Sequence, residues 1–282
     1  MTAGAIAALI ATESLTPARL RLILQHHRPD DAVERLRRGQ PLHPMCLRGL
    51  PADAIARLRE RAAADSGTAM LDRCDQLGVR IVVLGDDDYP AVLASDPSAP
   101  VALFVRGSLD VLHARRVGIV GTRHASTAGR ATATELGAAL ADEGIAVVSG
   151  LALGIDAAAH VGVRTSRGQG SAVGVVGSGP DVHYPKPNAQ LWEWVAEHGA
   201  LISEWPPGVR PAPYRFPQRN RIIAALSEVV VVVESRERGG SLITALEAGQ
   251  RGVTVMAVPG SPRSRASAGT NQLLRDGAAP VM

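Results

Sequence analysis

The sequence predicts an α/β fold of the Rossmann-like, doubly wound type, with a mostly parallel sheet preceded by a small helical module. Three observations support this prediction. Apolar runs of strand length recur from residue 117 onward, stretches with helical periodicity separate them, and each run is continuous rather than alternating. Continuous runs rich in Val and Ile are typical of parallel strands that are buried on both faces.

The N-terminal part of the chain, residues 1–65, has the pattern of short helices. Apolar residues recur at helical spacing over residues 15–24, 32–37 and 52–64. Prolines such as Pro29 and Pro44 interrupt the pattern and are read as breaks between helices. Residues 66–110 form a connecting segment with apolar runs at 79–84 and 101–105, and we expect them to extend the sheet domain.

Residues 111–282 are expected to form the Rossmann-like domain itself. We predict its strands at 117–120, 146–148, 172–176, 200–202, 229–233 and 253–258. We predict its helices at 126–142, 155–165, 188–198, 217–226 and 241–250. The five consecutive valines from Val229 to Val233 fit a strand that is buried on both sides.

The composition is that of an ordinary globular protein and argues against several other classes. Hydrophobic residues make up 46% of the chain and charged residues 20%, which is unlike a disordered protein. Neither a membrane helix nor a signal peptide is recognisable, so we expect a cytoplasmic protein with no membrane partner. Cys46 and Cys74 lack the spacing of a metal site. The net charge of +3 permits an anionic partner without requiring one.

The loop after the first predicted strand contains the first candidate binding residues. In an open α/β sheet, ligands bind outside the carboxyl ends of the strands. Gly121 is expected to allow a sharp turn, Arg123 to present a forked phosphate donor, and Ser126 to cap a helix whose positive end faces the same anion. A tight turn with a solvated arginine explains these residues equally well. The dinucleotide fingerprint G-x-G-x-x-G is absent.

The loop after the second predicted strand carries a carboxylate and, one turn later, an imidazole. Asp156 falls in the first turn of the next helix, where the helix dipole favours a carboxylate, so we expect a structural role. His160 could share a face with Asp156, but this pair is a weak metal signal and we expect no metal site.

The loop after the third predicted strand contains Lys186, the only lysine of the chain. Asn188 is expected to cap the helix that follows. One basic residue on a loop is equally well explained by chance.

The segment Trp205–Arg221 is the strongest local signal. It contains no acidic residue and four arginines, which are Arg210, Arg215, Arg219 and Arg221. Arginines interleaved with Tyr214 and Phe216 are what a surface for single-stranded nucleic acid needs, since charges contact phosphates and rings stack on bases. The alternative is a solvated basic loop.

Glycine turns also follow the last two predicted strands. Gly239, Gly240 and Ser241 lead into one helix, and Pro259 and Gly260 form the other turn. Five such loops at one edge of the sheet, several with arginine, predict a long groove for a polyanion rather than a pocket for one nucleotide.

These loops resemble those of the DNA-processing protein A family (DprA, also called Smf). The matching runs lie within about residues 80–280: Tyr89–Pro90, Phe104 with Gly107, Gly121–Arg123 with Ser126, Ser149–Ala152 with Gly154–Asp156, Tyr184–Lys186 with Asn188, Ile202–Glu204, Phe216–Pro217, Arg219–Ile223, Gly240–Ala245 and Pro259–Gly260.

The resemblance implies a protein that binds single-stranded DNA, protects incoming strands, and helps to load the RecA recombinase during natural transformation (competence) and DNA recombination. It also implies a cytoplasmic homodimer with no catalytic activity and no cofactor. The DNA-binding residues that it implies are Gly121, Thr122, Arg123, Ser149, Gly150, Lys186, Phe216, Arg219, Asn220, Arg221, Gly240 and Ser241.

Two features depart from the family pattern. The N-terminal module of the family is like a SAM or helix-hairpin-helix domain and often carries a glycine-rich signature, where this chain has Ser14–Arg19 without those glycines. DNA binding by this module is therefore not implied. Many members carry a C-terminal winged helix, and we expect none here.

Two other functions remain open on the same fold. Phosphoribohydrolases that cleave nucleotides use a Pro-Gly-Gly-x-Gly-Thr-x-x-Glu loop on a similar sheet. This chain offers Arg238–Thr244 with Glu247 nearby, but it lacks the proline and the third glycine. The other alternative is a sensor of a small nucleotide.

Overall fold

A computed structural model of the chain describes residues 2–11, 15–64 and 67–281. The chain forms two compact units. One extends to Tyr89 and includes Pro100–Phe104, and the other comprises Pro90–Ala99 and the chain from Val105 onward. The division predicted from the sequence, into 1–65, 66–110 and 111–282, stays a prediction. The predicted α/β class with a mostly parallel sheet is confirmed.

The first unit is helical apart from two strands. Its elements are α1 (Thr2–Ala11), α2 (Pro17–His26), α3 (Pro29–Arg37), α4 (Pro44–Leu47), α5 (Ala52–Ala64), α6 (Thr68–Gln76), β1 (Arg80–Val83) and the first residues of β2 (Ala102–Gly107). The core is formed by buried side chains such as Ile6, Leu9 and Ile23. Pro29 and Pro44 separate consecutive helices as predicted, each as the first residue of the helix that follows, where no backbone N–H donor is needed.

The second unit alternates strands with helices. Its elements are α7 (Ala91–Ala94), β3 (Arg116–Val120), α8 (Thr127–Asp142), β4 (Ala146–Ser149), α9 (Ile155–Thr165), β5 (Ala172–Val176), α10 (Ala189–His198), β6 (Ala200–Ser203), α11 (Arg215–Leu226), β7 (Val229–Val232), α12 (Gly240–Gln250), β8 (Thr254–Ala257), α13 (Ala268–Arg275) and β9 (Ala279–Pro280). The six strands predicted for this domain are all present, with ends that differ by at most one or two residues.

The strands of this unit lie in the order β6-β5-β4-β3-β7-β8-β9, and each of these neighbouring pairs is parallel. The chain builds the sheet in one direction from β3 to β6 and then returns to place β7 on the other side of β3. The point of reversal, between β3 and β7, is where open α/β sheets place their ligand sites.

The sheet of this unit is buried because helices cover it. The residues of β4 and β5 are all buried, and Trp192 of α10 is fully buried against the same core. Such burial explains why the strands are continuous apolar runs rather than alternating ones. Among the described residues, no helix is long and apolar enough to cross a membrane.

Candidate functional site

A cleft of about 490 Å³ opens at the carboxyl ends of β3 and β7. It draws residues from the loops that follow β3, β4, β5, β6 and β7. Of the described residues after β8, none lines it. The predicted site residues that line it are Gly121, Thr122, Arg123, Phe216, Arg219, Asn220, Gly240 and Ser241. Gly150 lines a smaller adjoining cavity, which Arg123, Phe216 and Arg219 also line.

Three predicted site residues line neither the cleft nor the smaller cavity. The Ser149 hydroxyl is fully buried and donates to the carbonyl oxygen of Ile119 at 2.6 Å, which ties β4 to β3. Lys186 is exposed in a short 3-10 helix. Arg221 donates from Nη2 to Oε1 of the buried Glu204 at 2.6 Å, so its charge is already paired within the protein.

Arg219 is the most unusual cation at the site, because its side chain is buried. Nη1 donates to the carbonyl oxygen of Val175, while Nε has no hydrogen-bond partner within the described residues. The pKa of Arg219 is lowered to about 10, chiefly by burial; the carboxylate of Asp156 opposes this shift and the charge of Arg123 adds to it. The guanidinium is therefore held largely buried in the wall of the cleft.

Asp156 is the buried carboxylate that faces this guanidinium. Its Oδ2 accepts from the N–H of Gly150 at 3.1 Å. Burial raises the pKa of Asp156, and Arg219 acts in the opposite direction. Asp156 thus stabilises the loop that contains Gly150 and partly neutralises the charge of Arg219.

His160 lies one turn further along α9 and is fully buried. Its Nε2 lies 3.3 Å from the carbonyl oxygen of Val147. Burial lowers the pKa of His160 to about 4, so the ring is neutral at physiological pH. Within the described residues, no three His, Cys, Asp or Glu side chains gather as they would around a metal ion.

Gly121 is required by close packing rather than by a left-handed backbone. A Cβ at this residue would lie 2.5 Å from Cγ1 of Ile155 and 2.9 Å from the carbonyl oxygen of Glu234. The residue lies outside the positive-φ set of the described chain. Glycine is therefore required at this position for close approach of the neighbouring residues.

A carboxylate of the protein itself, that of Glu234, lies at the start of α8. Ser126 caps the helix as predicted, accepting from the Gly129 N–H at 2.9 Å. The buried carboxylate of Glu234 accepts from the Ser126 N–H at 2.8 Å and from its hydroxyl at 2.7 Å. The expectation that this helix end faces a bound anion is corrected, because a side chain of the chain itself fills that position.

Asn188 precedes α10, but its side chain makes no capping hydrogen bond. Its Nδ2 instead donates to the carbonyl oxygens of Leu151 at 2.9 Å and Ala152 at 3.2 Å. Leu151 has a φ of 53°, a left-handed conformation that costs free energy for a branched side chain. The side chain of Asn188 thus stabilises the loop after β4 instead of capping α10.

The aromatic rings at the site form two groups. Tyr184 stacks on Phe216 with 5.4 Å between ring centroids and an interplanar angle of 25°, and Arg123 lies over Phe216 with Cζ 4.9 Å from the centroid. Arg215 instead lies over Trp205 at 4.4 Å. An arginine stacked on a ring keeps donors on its edge, so the first group presents a ring face and charged donors together.

The face of α11 explains which arginines of Trp205–Arg221 reach the cleft. Phe216, Arg219, Asn220 and Ile223 have the spacing i, i+3, i+4, i+7 and all line it. Arg221 lies on another face, beside Glu204. Of the four arginines in this segment, Arg219 alone is among the described residues that line the cleft.

Residues that sequence reasoning left out of the site also line the cleft, among them His124, Tyr184, Arg236 and Arg238. Arg236 and Arg238 are exposed in the loop between β7 and α12. Their position in the sequence could have identified them, because they directly follow β7, the strand that pairs with β3 where the strand order reverses. Among the described lining residues, Asp156 is the one that carries a carboxylate, against Arg123, Arg219, Arg236 and Arg238.

Glu247, the candidate carboxylate of a phosphoribohydrolase, lies elsewhere. It pairs with Arg251, whose Nε also pairs with Asp96. Glu247 is not among the described residues that line the cleft.

The chain matches the family described as DNA recombination-mediator protein A over residues 80–282. It is 38% identical over 274 residues to the putative DNA processing protein DprA of Mycobacterium tuberculosis, covering 93% of this chain and 68% of that protein. It is similar to the X-ray structure of DprA from Streptococcus pneumoniae, with a TM-score of 0.80 and 33% identity over 96% of this chain and 92% of that one. A structure of DprA from Helicobacter pylori, described for its single-stranded DNA binding mode, has a TM-score of 0.64 and 27% identity over 72% of this chain and 91% of that one.

Proposed function

Since this chain belongs to the DNA recombination-mediator protein A family, we propose that it binds single-stranded DNA in the cleft at the carboxyl ends of β3 and β7. The observation that carries this proposal is the set of four arginines, Arg123, Arg219, Arg236 and Arg238, which line one cleft beside the stacked rings of Tyr184 and Phe216. The Helicobacter pylori relative, whose structure concerns single-stranded DNA binding, supports it.

The two kinds of group in the cleft suit the two parts of a single strand. Guanidinium groups donate to phosphate oxygens and supply most of the sequence-independent affinity. Exposed ring faces stack on bases, which are accessible in a single strand and covered by their neighbours in a duplex. Arg123 takes part in both, because it lies over Phe216 and lines the cleft.

The residues implied by the resemblance have different roles in this proposal. Arg123, Phe216, Asn220, Gly240 and Ser241 contact DNA, together with Gly121 and Thr122. Gly150 and Ser149 shape the loops behind them. Lys186 and Arg221 contact the strand only where it continues beyond the cleft.

The wider role that we propose is protection of incoming single strands and loading of the RecA recombinase during natural transformation and recombination. In this proposal the protein acts in the cytoplasm as a homodimer, through binding rather than catalysis, and the Rossmann-like domain carries the contacts. The pairing of Glu247 with Arg251 supports binding over hydrolysis. Release of free base from nucleoside monophosphates by the purified protein would contradict this part.

The test of DNA binding is a titration of the full chain with a fluorescent single-stranded oligonucleotide and with its duplex. We expect the single strand to bind more tightly, and Arg123→Ala to weaken it. Arg164→Ala is the matched control, since Arg164 is an exposed arginine on α9 that does not line the cleft. Equal binding of the two DNA forms, or equal loss in both variants, would refute the assignment of this cleft.

A further inference from the structure

The first turn of α12 differs from that of α8, although both helices begin near the same cleft. The residue before α12 is Gly239, and no side chain caps the helix within the described chain. Leu242 N–H donates to the carbonyl oxygen of Gly239, whereas the N–H groups of Gly240 and Ser241 donate to no acceptor among the described residues. Gly239, Gly240 and Ser241 all line the cleft, so these donors and the positive end of an 11-residue helix border it.

A second, independent feature points to an anion in the same cleft. Arg219 is only 5% exposed and lines the cleft, yet within the described residues its Nε has no partner. A buried guanidinium with an unsatisfied donor is costly unless a charged acceptor is supplied. Asp156 offsets part of its charge, but the carboxylate of Asp156 also accepts a hydrogen bond from the Gly150 N–H.

The remaining charges make the cleft strongly positive. Arg236 and Arg238 are exposed in the loop that leads into α12, and Arg123 lines the cleft from the loop after β3. Glu237, between the two arginines, is exposed and is not among the described lining residues. Among the described residues, the cleft is thus lined by four guanidinium groups and the uncapped start of α12, but by one carboxylate, that of Asp156.

At the start of α12, the guanidinium groups of Arg236 and Arg238 together with the helix end present more positive charge than one phosphodiester neutralises. A phosphodiester carries a single negative charge, whereas a phosphomonoester carries about −1.5 to −2 at neutral pH and offers three acceptor oxygens. On the basis of the proposed DNA-binding function, we infer that the cleft holds a terminal phosphomonoester of a nucleotide at the start of α12, contacted by Arg236 and Arg238.

The size of the cleft fits one nucleotide at this position. Its volume of about 490 Å³ lies within the range of small-ligand pockets. Phe216, Tyr184 and Ile243 supply the apolar surface that a base and a sugar need. The same chemistry occurs at the phosphorylated end of a DNA strand and in a free deoxynucleoside monophosphate.

The experiment compares oligonucleotides of one sequence that carry a phosphate at the 5′ end, at the 3′ end, or at neither. Binding is measured by fluorescence anisotropy with the full chain and with Arg236→Gln and Arg238→Gln, and dTMP is tested as a separate ligand. Arg164→Gln serves as the control for removal of an exposed positive charge. Circular dichroism melts establish that each variant is folded.

We expect a terminal phosphate at one end to improve binding about tenfold, the size of a charge-assisted contact, and the advantage to disappear in Arg236→Gln and Arg238→Gln but not in Arg164→Gln. Saturable binding of dTMP that is lost in the same two variants supports the site with a free nucleotide as its source. Equal affinity for all three oligonucleotides together with no binding of dTMP overturns the inference while leaving DNA binding intact. Failure of every oligonucleotide to bind refutes the proposed function instead.

Discussion

The guanidinium of Arg219 lies directly against the α-carbon of Gly150. A Cβ at residue 150 would stand 2.5 Å from Cζ of Arg219, which is far inside van der Waals contact. The same loop is held by Asp156, which accepts from the Gly150 N–H. Glycine is therefore needed here because only a residue without a side chain leaves room for the buried cation.

Replacement of Gly150 by alanine tests this contact. In Gly150→Ala the added methyl group must push the guanidinium of Arg219 out of its position, so we expect a loss of about 1–3 kcal/mol in the free energy of unfolding. Affinity for single-stranded DNA should fall with it, by about tenfold. Chemical denaturation and a binding titration measure the two effects.

The matched control is Gly249→Ala in α12. A Cβ at Gly249 meets open space, so alanine there should stabilise the helix by about 0.5–1 kcal/mol and leave DNA affinity unchanged. Normal stability and DNA affinity in Gly150→Ala would contradict the assigned role of the contact.

Removal of one cleft arginine should change the salt dependence of binding. If Arg123 contacts a phosphate, Arg123→Ala should make the slope of log affinity against log salt less steep by about 0.7 for a single strand. The loss should be similar for oligonucleotides of different sequence, because phosphate contacts carry no sequence information. Titrations at several salt concentrations measure this, with Arg164→Ala as the control. An unchanged slope would count against a phosphate contact.

The stacked rings give a prediction that separates bases from phosphates. Tyr184→Ala should weaken binding of a thymidine oligonucleotide by about 1–3 kcal/mol, since a ring face that can stack on a base is lost. An abasic strand of the same length should bind the variant and the unaltered protein equally. Tyr214→Ala is the control, because Tyr214 is 56% exposed and is not among the described lining residues. Equal loss with the abasic strand would rule out base stacking by Tyr184.

The carboxylate of Glu193, which is not among the described lining residues of the cleft, should determine how the stability of the fold changes over part of the acid pH range. Hydrogen bonds from Arg106 lower the pKa of Glu193 to about 2, burial opposes the shift, and a contact with His183 adds to it. Because the folded-state pKa lies below that of the unfolded chain, ionised Glu193 stabilises the fold above about pH 4.5 and loses this effect as pH falls to about 2.

Glu193→Gln should therefore flatten the fall in melting temperature between about pH 4.5 and 2 relative to the unaltered protein. Thermal unfolding followed by circular dichroism at a series of pH values measures it. Glu135→Gln, at an exposed glutamate of α8, is the control and should leave the profile unchanged. An unaltered profile in Glu193→Gln would show that another group controls acid unfolding.

The strands and helices of the second unit could be predicted because their burial determines the pattern of apolar residues in the sequence. β7 is part of a run of valines, and α9 begins and ends at the predicted residues. Two-sided burial forces continuous apolar runs, and the connecting helices keep a 3.6-residue period. The edge of the sheet that holds the site follows from these two patterns alone.

The roles of single side chains were less accessible, because they depend on neighbours that are distant in the chain. Arg219 and Arg221 are two residues apart, but one lies beside Asp156 and the other pairs with Glu204. Helical spacing along α11 separates the two faces, but only the strand order identifies what each face meets. Arg236 and Arg238 reach the cleft because β7 lies beside β3. The local sequence does not specify which strands are neighbours in the sheet.

The carboxylate of Glu234 makes the two sides of the cleft electrostatically unequal. The carboxylate of Glu234 lies at the start of α8 and is bonded to Ser126, whereas no side chain caps the start of α12 within the described residues. If a single strand crosses this edge of the sheet as we propose, the start of α12 should attract its phosphates more strongly than the start of α8 does. The fold thus carries a built-in preference for the route of the strand, in addition to its preference for negative charge.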